Sequence, residues 1–367
     1  MRHVAALSAV LLLVACGATE REAPEFEASA PRATGYGGLV RLAADVRAAK
    51  FKDVHSVLVY KGGDLLLEEY FAGTSDYIDF EGGIKRIPGP EVAWNMDRQH
   101  YVASVTKAVT GILTGIALDE LGLSEHALIK DMLPPDLEPL LEGKARSLTL
   151  HDLLTMTAGF RWDEWTSDDL VKLWQSDDFA KALLAKENMG AGSEWRYNSA
   201  LPNLVLRILE YRLGQPLQVW AGERFFGPLG IRNYSRDKQP SGTPEGGARL
   251  HLTPRDMMKI GVTVLEGGMW QGKRIIPADW VTKMTRHQAS PEGAGYGYYF
   301  WLREVGGVSY ISADGDGGQQ INIFPDDDTV VVMTQGNYGE WPLYMEQAQA
   351  MMRDYIFPAL HKKKPRQ

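Results

Sequence analysis

Residues 54–60 (Val-His-Ser-Val-Leu-Val-Tyr) and 65–71 (Leu-Leu-Leu-Glu-Glu-Tyr-Phe) are apolar, β-branched and aromatic runs on either side of Gly62-Gly63-Asp64. That order predicts a β-hairpin. Strand patterns return only late, at 296–301, 308–311, 321–324 and 330–333. Between about 94 and 235 the apolar positions recur instead at helical spacing, with runs beginning at Thr149 and Leu204. The clearest helix follows Ser104: Val105, Val109, Ile112, Leu113, Ile116, Ala117 and Leu121 share its period, and Gly122 supplies a C-terminal stop. The simplest architecture is a mixed α/β (α+β) domain over 36–358. Its sheet is fed from both ends of the chain, with a helical subdomain inserted at about 94–235.

The ends read differently. Met1-Arg2-His3 is basic and residues 4–15 are a short apolar run, the pattern of a targeting segment too short for a stable membrane span. Leu13-Val14-Ala15-Cys16 looks like a bacterial lipobox, so residues 1–16 are expected to be a signal peptide with Cys16 as the lipidation site. Cys16 is the chain's single cysteine, which leaves no intrachain disulfide. Residues 17–35, with Glu20, Glu22, Pro24, Glu25, Glu27 and Pro31, read as a flexible tether, and 359–367 as a basic tail. The expected location is extracytoplasmic, in the periplasm, with a lipid anchor as the link to the membrane.

Composition narrows the function classes. In 367 residues, 44% hydrophobic and 23% charged positions are ordinary for a globular protein. A net charge of −8 argues against nucleic-acid binding, which needs a basic face. The eight histidines show no H-E-x-x-H or comparable spacing, and the start of a calcium loop at Asp314-Gly315-Asp316 lacks its later ligands, so no metal or cofactor is implied. His100, His151 and His251 read as core or capping residues. No G-x-S-x-G nucleophile turn is present.

Ser104-Val105-Thr106-Lys107 carries the chemistry. Positions i and i+3 of a helix are neighbours, so Lys107 can act as base for a nucleophilic Ser104. The first turn's free N–H groups and helix dipole favour an oxyanion and disfavour a charged lysine. A second S-x-x-K copy, Ser235 to Lys238, lies among charges before Pro240-Ser241-Gly242 and reads as a solvated loop. Tyr197, just ahead of a helical run, is a candidate proton shuttle. The glycines of Ala313-Asp314-Gly315-Asp316-Gly317-Gly318-Gln319 allow close backbone approach to a ligand. Trp162 and Trp165 are expected to pack, with a cleft-lining role as the alternative.

Together these residues resemble the serine hydrolase family of class C β-lactamases, D,D-peptidases, related esterases and 6-aminohexanoate-dimer hydrolases. The resemblance is carried by Ser104-Val105-Thr106-Lys107, Leu150 to Phe160, Tyr197-Asn198-Ser199, Phe226-Gly227-Pro228-Leu229-Gly230-Ile231, Leu252-Thr253-Pro254 and Gly318-Gln319. It implies a β-lactamase-like (penicillin-binding-protein-like) fold with a mainly antiparallel sheet flanked by helices. It further implies Ser104, Lys107 and Tyr197 as catalytic residues, backbone N–H groups of Ser104 and Asp316 beside Gly315 as the oxyanion hole, and Asn198 as a substrate contact. Ser199 occupies the family's usual asparagine position, and Ala313 stands where β-lactamases and D,D-peptidases carry Lys or His. The second departure favours a small ester or amide substrate over a β-lactam or cell-wall peptide. A non-catalytic lipoprotein that binds peptidoglycan fragments is the alternative outside enzymes.

Overall fold

The computed structural model describes residues 36–79, 85–291 and 293–361. Residues 1–16 with Cys16, the 17–35 tether and 362–367 of the basic tail lie outside the described residues. A seven-stranded antiparallel sheet is built from β1 (Val54–Lys61), β2 (Asp64–Tyr70), β3 (Gly295–Tyr296), β4 (Trp301–Val305), β5 (Val308–Gly315), β6 (Gln319–Phe324) and β7 (Thr329–Gln335). Its order is β3-β4-β5-β6-β7-β1-β2, so the N-terminal hairpin docks on the last strand, with Val57 opposite Met333 and Val59 opposite Val331.

Both faces of this sheet are covered, which is why β1 and β7 are buried almost throughout and read as continuous apolar runs. Alternate residues serve different cores. Val57 and Val59 pack with Leu39 and Leu42 of α1 (Gly37–Arg47) and with Met351 and Ile356 of the C-terminal helical segment. Leu58 and Tyr60 face the larger core, which includes Val109 and Ile112 of α2 (Val105–Leu121) and Met257 and Ile260 of α5 (Pro254–Leu265). The helical insertion between them contributes α3 (Leu150–Leu154) and α4 (Ala200–Leu213) to that same core. α2 is buried on every side from Val105 to Leu118 and ends at Gly122 with φ 63°, the conformation its C-terminal glycine was expected to supply.

Three expectations need correction. The run 296–301 is not one strand: β3 ends at Tyr296, a turn follows in which Tyr299 has φ 64°, and β4 begins at Trp301. The mainly helical 94–235 insertion carries a short strand near each end that the pattern did not show, because His100–Tyr101 and Ser235–Arg236 both pair with Leu250–Leu252 in a small sheet. The tail starts later than 359, since Phe357–Leu360 is helical and Ala359 is buried against the core. In each case tertiary partners decide what local propensity leaves open.

Candidate active site

The N-terminus of α2 is pinned from two directions. The Val102 N–H donates to Leu250 O at 3.0 Å, and Gly315, at the end of β5, lies so close to Val102 that a Cβ there would sit 2.2 Å from the Val102 carbonyl oxygen. Only glycine permits that approach, and it brings the Gly315-Asp316 backbone to the segment that carries Ser104. Ala103 has φ 46°, an uncommon conformation for a residue with a Cβ, immediately before Ser104. The Ser104 side chain makes no capping bond to the helix. It is therefore available to other partners.

Lys107 Nζ donates to Ser104 Oγ at 2.9 Å and to Gly247 O at 2.8 Å. The lysine is 1% exposed. Burial pushes its pKa down to about 8, against the opposing pull of the Glu164 and Glu245 carboxylates. Gly247 is held by the buried Glu245, which accepts from the backbone N–H groups of Gly247, Ala248 and Arg249 and from Asn203 Nδ2. Arg236 braces the same loop, donating to Glu245 O and Thr110 Oγ1.

Tyr197 completes the group. Its ring lies under Lys107 Nζ at 4.7 Å, and Ser104 bears on its hydroxyl. Burial raises its pKa above the ordinary phenol value, and the neighbouring Ser104 hydroxyl works in the opposite direction. The ring is stacked on Trp301 (6.0 Å) and on Trp165 (5.7 Å). Trp165 is 77% exposed, so the packing expected of it is not found, whereas Trp162 is buried as expected. Tyr197 thus joins an aromatic wall open to solvent at the Trp165 end.

Ser104 and Lys107, from one motif, and Tyr197, from another, meet at one place. Gly315 and Asp316 reach the same end of α2, and the Asp316 carboxylate turns away to accept from Gly339 N–H at 3.0 Å. Asn198 sits at the start of α4. It is buried, and its Oδ1 accepts from Ala200 N–H at 2.8 Å, closing the first turn of α4. Ser199 instead donates from its hydroxyl and backbone N–H to Glu164. Ser235, the second S-x-x-K serine, is exposed and donates to Gln99 Oε1 in a two-residue strand.

Other residues at the site carried no sequence motif. Glu164 accepts from Trp162 Nε1 at 2.6 Å as well as from Ser199, and its charge acts on both Lys107 and Tyr197. Arg303 lies 4.5 Å over Trp301 and makes a two-pronged ion pair with Asp314 at 2.7 Å, so a cation stands near the position vacated at Ala313 but is already neutralised. Ala313 itself is packed in the core. Adjacency of Glu164 to Trp165, and of Arg303 to the Trp301 aromatic run, was the only hint in the sequence.

The family model described as Beta-lactamase matches residues 47–348. A curated relative, the 6-aminohexanoate-dimer hydrolase of Paenarthrobacter ureafaciens, is 23% identical over 317 residues, 78% of this chain and 72% of the relative. Among solved structures, EstCE1, described as a hydrolase with promiscuous acyltransferase activity, aligns with a TM-score of 0.67 at 17% identity, covering 87% of this chain and 100% of its own. The octameric penicillin-binding protein homologue from Pyrococcus abyssi aligns with a TM-score of 0.63 at 18% identity, covering 90% and 79%.

Proposed function

The chain is a hydrolase of the Beta-lactamase family, and on that premise we propose that it forms an acyl-enzyme on Ser104 and cleaves a small ester or amide. The observation that carries this reading is the 2.9 Å bond from the buried Lys107 amine to Ser104 Oγ. A lysine whose pKa is lowered to about 8 is neutral often enough to take the serine proton as Oγ attacks a carbonyl carbon. The oxyanion forms at the free N–H end of α2, with the backbone N–H groups of Ser104 and Asp316 as donors. As the tetrahedral intermediate collapses, the Tyr197 hydroxyl gives its proton to the leaving alkoxide or amine and regains one from the protonated Lys107. Water then hydrolyses the acyl-enzyme by the reverse proton route.

The substrate preference follows from charge. Ala313 offers no cation, and Arg303 is committed to Asp314. A β-lactam or peptide carboxylate finds no unpaired positive partner among these residues, whereas a neutral ester or amide needs none. The aromatic wall of Trp165, Tyr197 and Trp301 suits an apolar acyl or leaving group. We further place the protein outside the cytoplasm with Cys16 lipidated, a reading that rests on the leader sequence; metabolic labelling with a fatty-acid analogue, lost in Cys16→Ser, tests it.

The enzymatic reading is tested with a short-chain p-nitrophenyl ester and a chromogenic cephalosporin side by side. Ester turnover that disappears in Ser104→Ala, with little on the cephalosporin, is the expected result. Cephalosporin turnover of comparable efficiency overturns the substrate preference, and an active Ser104→Ala protein overturns the nucleophile.

A further inference from the structure

Glu245 is a buried carboxylate that the mechanism above leaves unused. It is 0% exposed, and a carboxylate taken out of water is costly unless hydrogen bonds or a cation compensate. Here the compensation comes from uncharged donors. Oε1 accepts from Gly247 N–H at 2.9 Å and from Asn203 Nδ2 at 2.8 Å, and Oε2 accepts from Ala248 N–H at 2.7 Å and Arg249 N–H at 2.8 Å. An ionised carboxylate only accepts, and four N–H groups converge on this one. Three of them belong to a single turn of chain that also touches the catalytic lysine.

The planarity of the peptide bond carries that grip across to α2. In a trans peptide the C=O of one residue and the N–H of the next point in opposite directions. The Ala248 N–H held on Glu245 therefore sends the Gly247 carbonyl the other way, where it accepts from Lys107 Nζ at 2.8 Å. The Gly247 N–H held on Glu245 likewise sends the Gly246 carbonyl to Thr110 Oγ1 at 2.9 Å, one helical turn beyond Lys107. Two consecutive peptide planes thus stand between the carboxylate and α2. Neither glycine has room for a side chain: a Cβ on Gly246 would lie 2.5 Å from Pro202 O, and one on Gly247 2.8 Å from Ser199 O. Asn203 of α4 closes the network, its Oδ1 accepting from Gly246 N–H at 2.8 Å and its Nδ2 donating to Ser199 O at 2.9 Å.

The direction of the Gly247 carbonyl decides what Lys107 can do. A neutral amine has two hydrogens and one lone pair, and a carbonyl oxygen can only accept. Once Lys107 is neutral, Gly247 O holds one of its hydrogens; of the two bonded neighbours, only the Ser104 hydroxyl, 2.9 Å away, can give a proton to the lone pair. We propose that Glu245 is a positioning residue for Lys107: by gripping the peptide between Gly247 and Ala248 it holds the Gly247 carbonyl against the amine and turns the lysine lone pair to Ser104 Oγ. No bond beyond those of the acyl-transfer cycle is made or broken, and the proton passes from Ser104 Oγ to Lys107 Nζ as before. The inference rests on the proposed serine hydrolase function.

A double-substitution cycle separates that role from a structural one, with the rate of fluorophosphonate labelling of Ser104, followed by intact mass, as the readout. Glu245→Gln turns an amide NH₂ towards N–H donors and releases the peptide; at pH 8 it is expected to slow labelling about 10- to 100-fold, the scale of a misplacement of about 1 Å. In a Lys107→Met background the same substitution should change the rate less than about twofold, because no amine is left to orient. Gly247→Ala keeps the carboxylate, displaces the same peptide and should repeat the pattern, which guards against a folding defect in the first variant. The pH profile supplies an independent sign. Glu164 and Glu245 are the carboxylates that favour the protonated Lys107 amine against burial, so Glu245→Gln should move the inflection below about pH 8, whereas a loosened core readmits water to the lysine and moves it up. Equal slowing in both backgrounds, no slowing in either, or an inflection that rises overturns the inference. Wild-type protein that turns over no ester and leaves Ser104 unlabelled overturns the proposed function itself and the inference with it.

Discussion

Replacing Lys107 with methionine keeps the length and burial of the side chain and removes the amine. Burial lowers the lysine from its ordinary 10.5 to about 8. At pH 7 about 10% of the amine is then neutral, against roughly 0.03% for an unperturbed lysine, so the fold enriches the base about 300-fold. The Ser104 acylation rate, followed by fluorophosphonate adduct mass in the wild type, is expected to rise about tenfold for each pH unit below 7 and to level off above about 8. Lys107→Met should lower that rate by about 10²–10⁴-fold at pH 8 and abolish the inflection. Stability moves differently. Because the folded-state pKa lies below the unfolded value, the unfolded chain binds the extra proton, so holding Lys107 costs about 3 kcal/mol below pH 8 and the cost fades as pH rises towards 10.5. Methionine removes that cost but leaves Gly247 O without its 2.8 Å donor, a loss of about 1–3 kcal/mol. The two roughly offset, and Tm at pH 7 should shift by only a few degrees. A wild-type rate that is flat between pH 6 and 9, or a methionine variant that labels as fast as wild type, would refute the assignment of Lys107 as the base.

Other substitutions probe the supports of the site. Gly315→Ala places a methyl 2.2 Å from Val102 O and must displace one backbone or the other; ester kcat should fall at least about 100-fold, of the order of losing one oxyanion donor, as steady-state kinetics would reveal. Glu245→Gln turns an amide NH₂ towards backbone N–H groups that now share a carboxylate, and urea titration should find a loss of about 2–4 kcal/mol. Trp165→Ala removes an exposed ring that stacks on Tyr197; KM for aromatic esters should rise severalfold with kcat nearly unchanged and stability within about 0.5 kcal/mol of wild type.

The meeting of Ser104 and Lys107 was legible because an i, i+3 spacing inside a helical period is a local, geometric fact. The hairpin 54–71 and the helix stop at Gly122 were legible for the same reason. Glu245 and Gly247 were not: 140 residues separate Gly247 from Lys107, and nothing in Glu245-Gly246-Gly247 announces that its carboxylate will gather three backbone N–H groups. A motif gives identity without direction: that Asn198 Oδ1 would accept from Ala200 N–H at the start of α4 is set by the backbone there. The run 296–301 read as a strand on composition, and only the contact of Tyr298 with Met284 and His151 breaks it into a turn.

The sequence by itself determined the 54–71 hairpin and the helix that ends at Gly122, because hydrophobic period and glycine stops act over one or two turns of chain. It also determined that Ser104 and Lys107, the proposed nucleophile and base, would lie one helical turn apart. Only the tertiary structure decided how basic that lysine is, what holds its second hydrogen bond, which tryptophan meets solvent and which tyrosine is forced into a left-handed turn. Those properties depend on desolvation and on partners brought together by a sheet whose neighbouring strands come from opposite ends of the chain, and no local pattern encodes them.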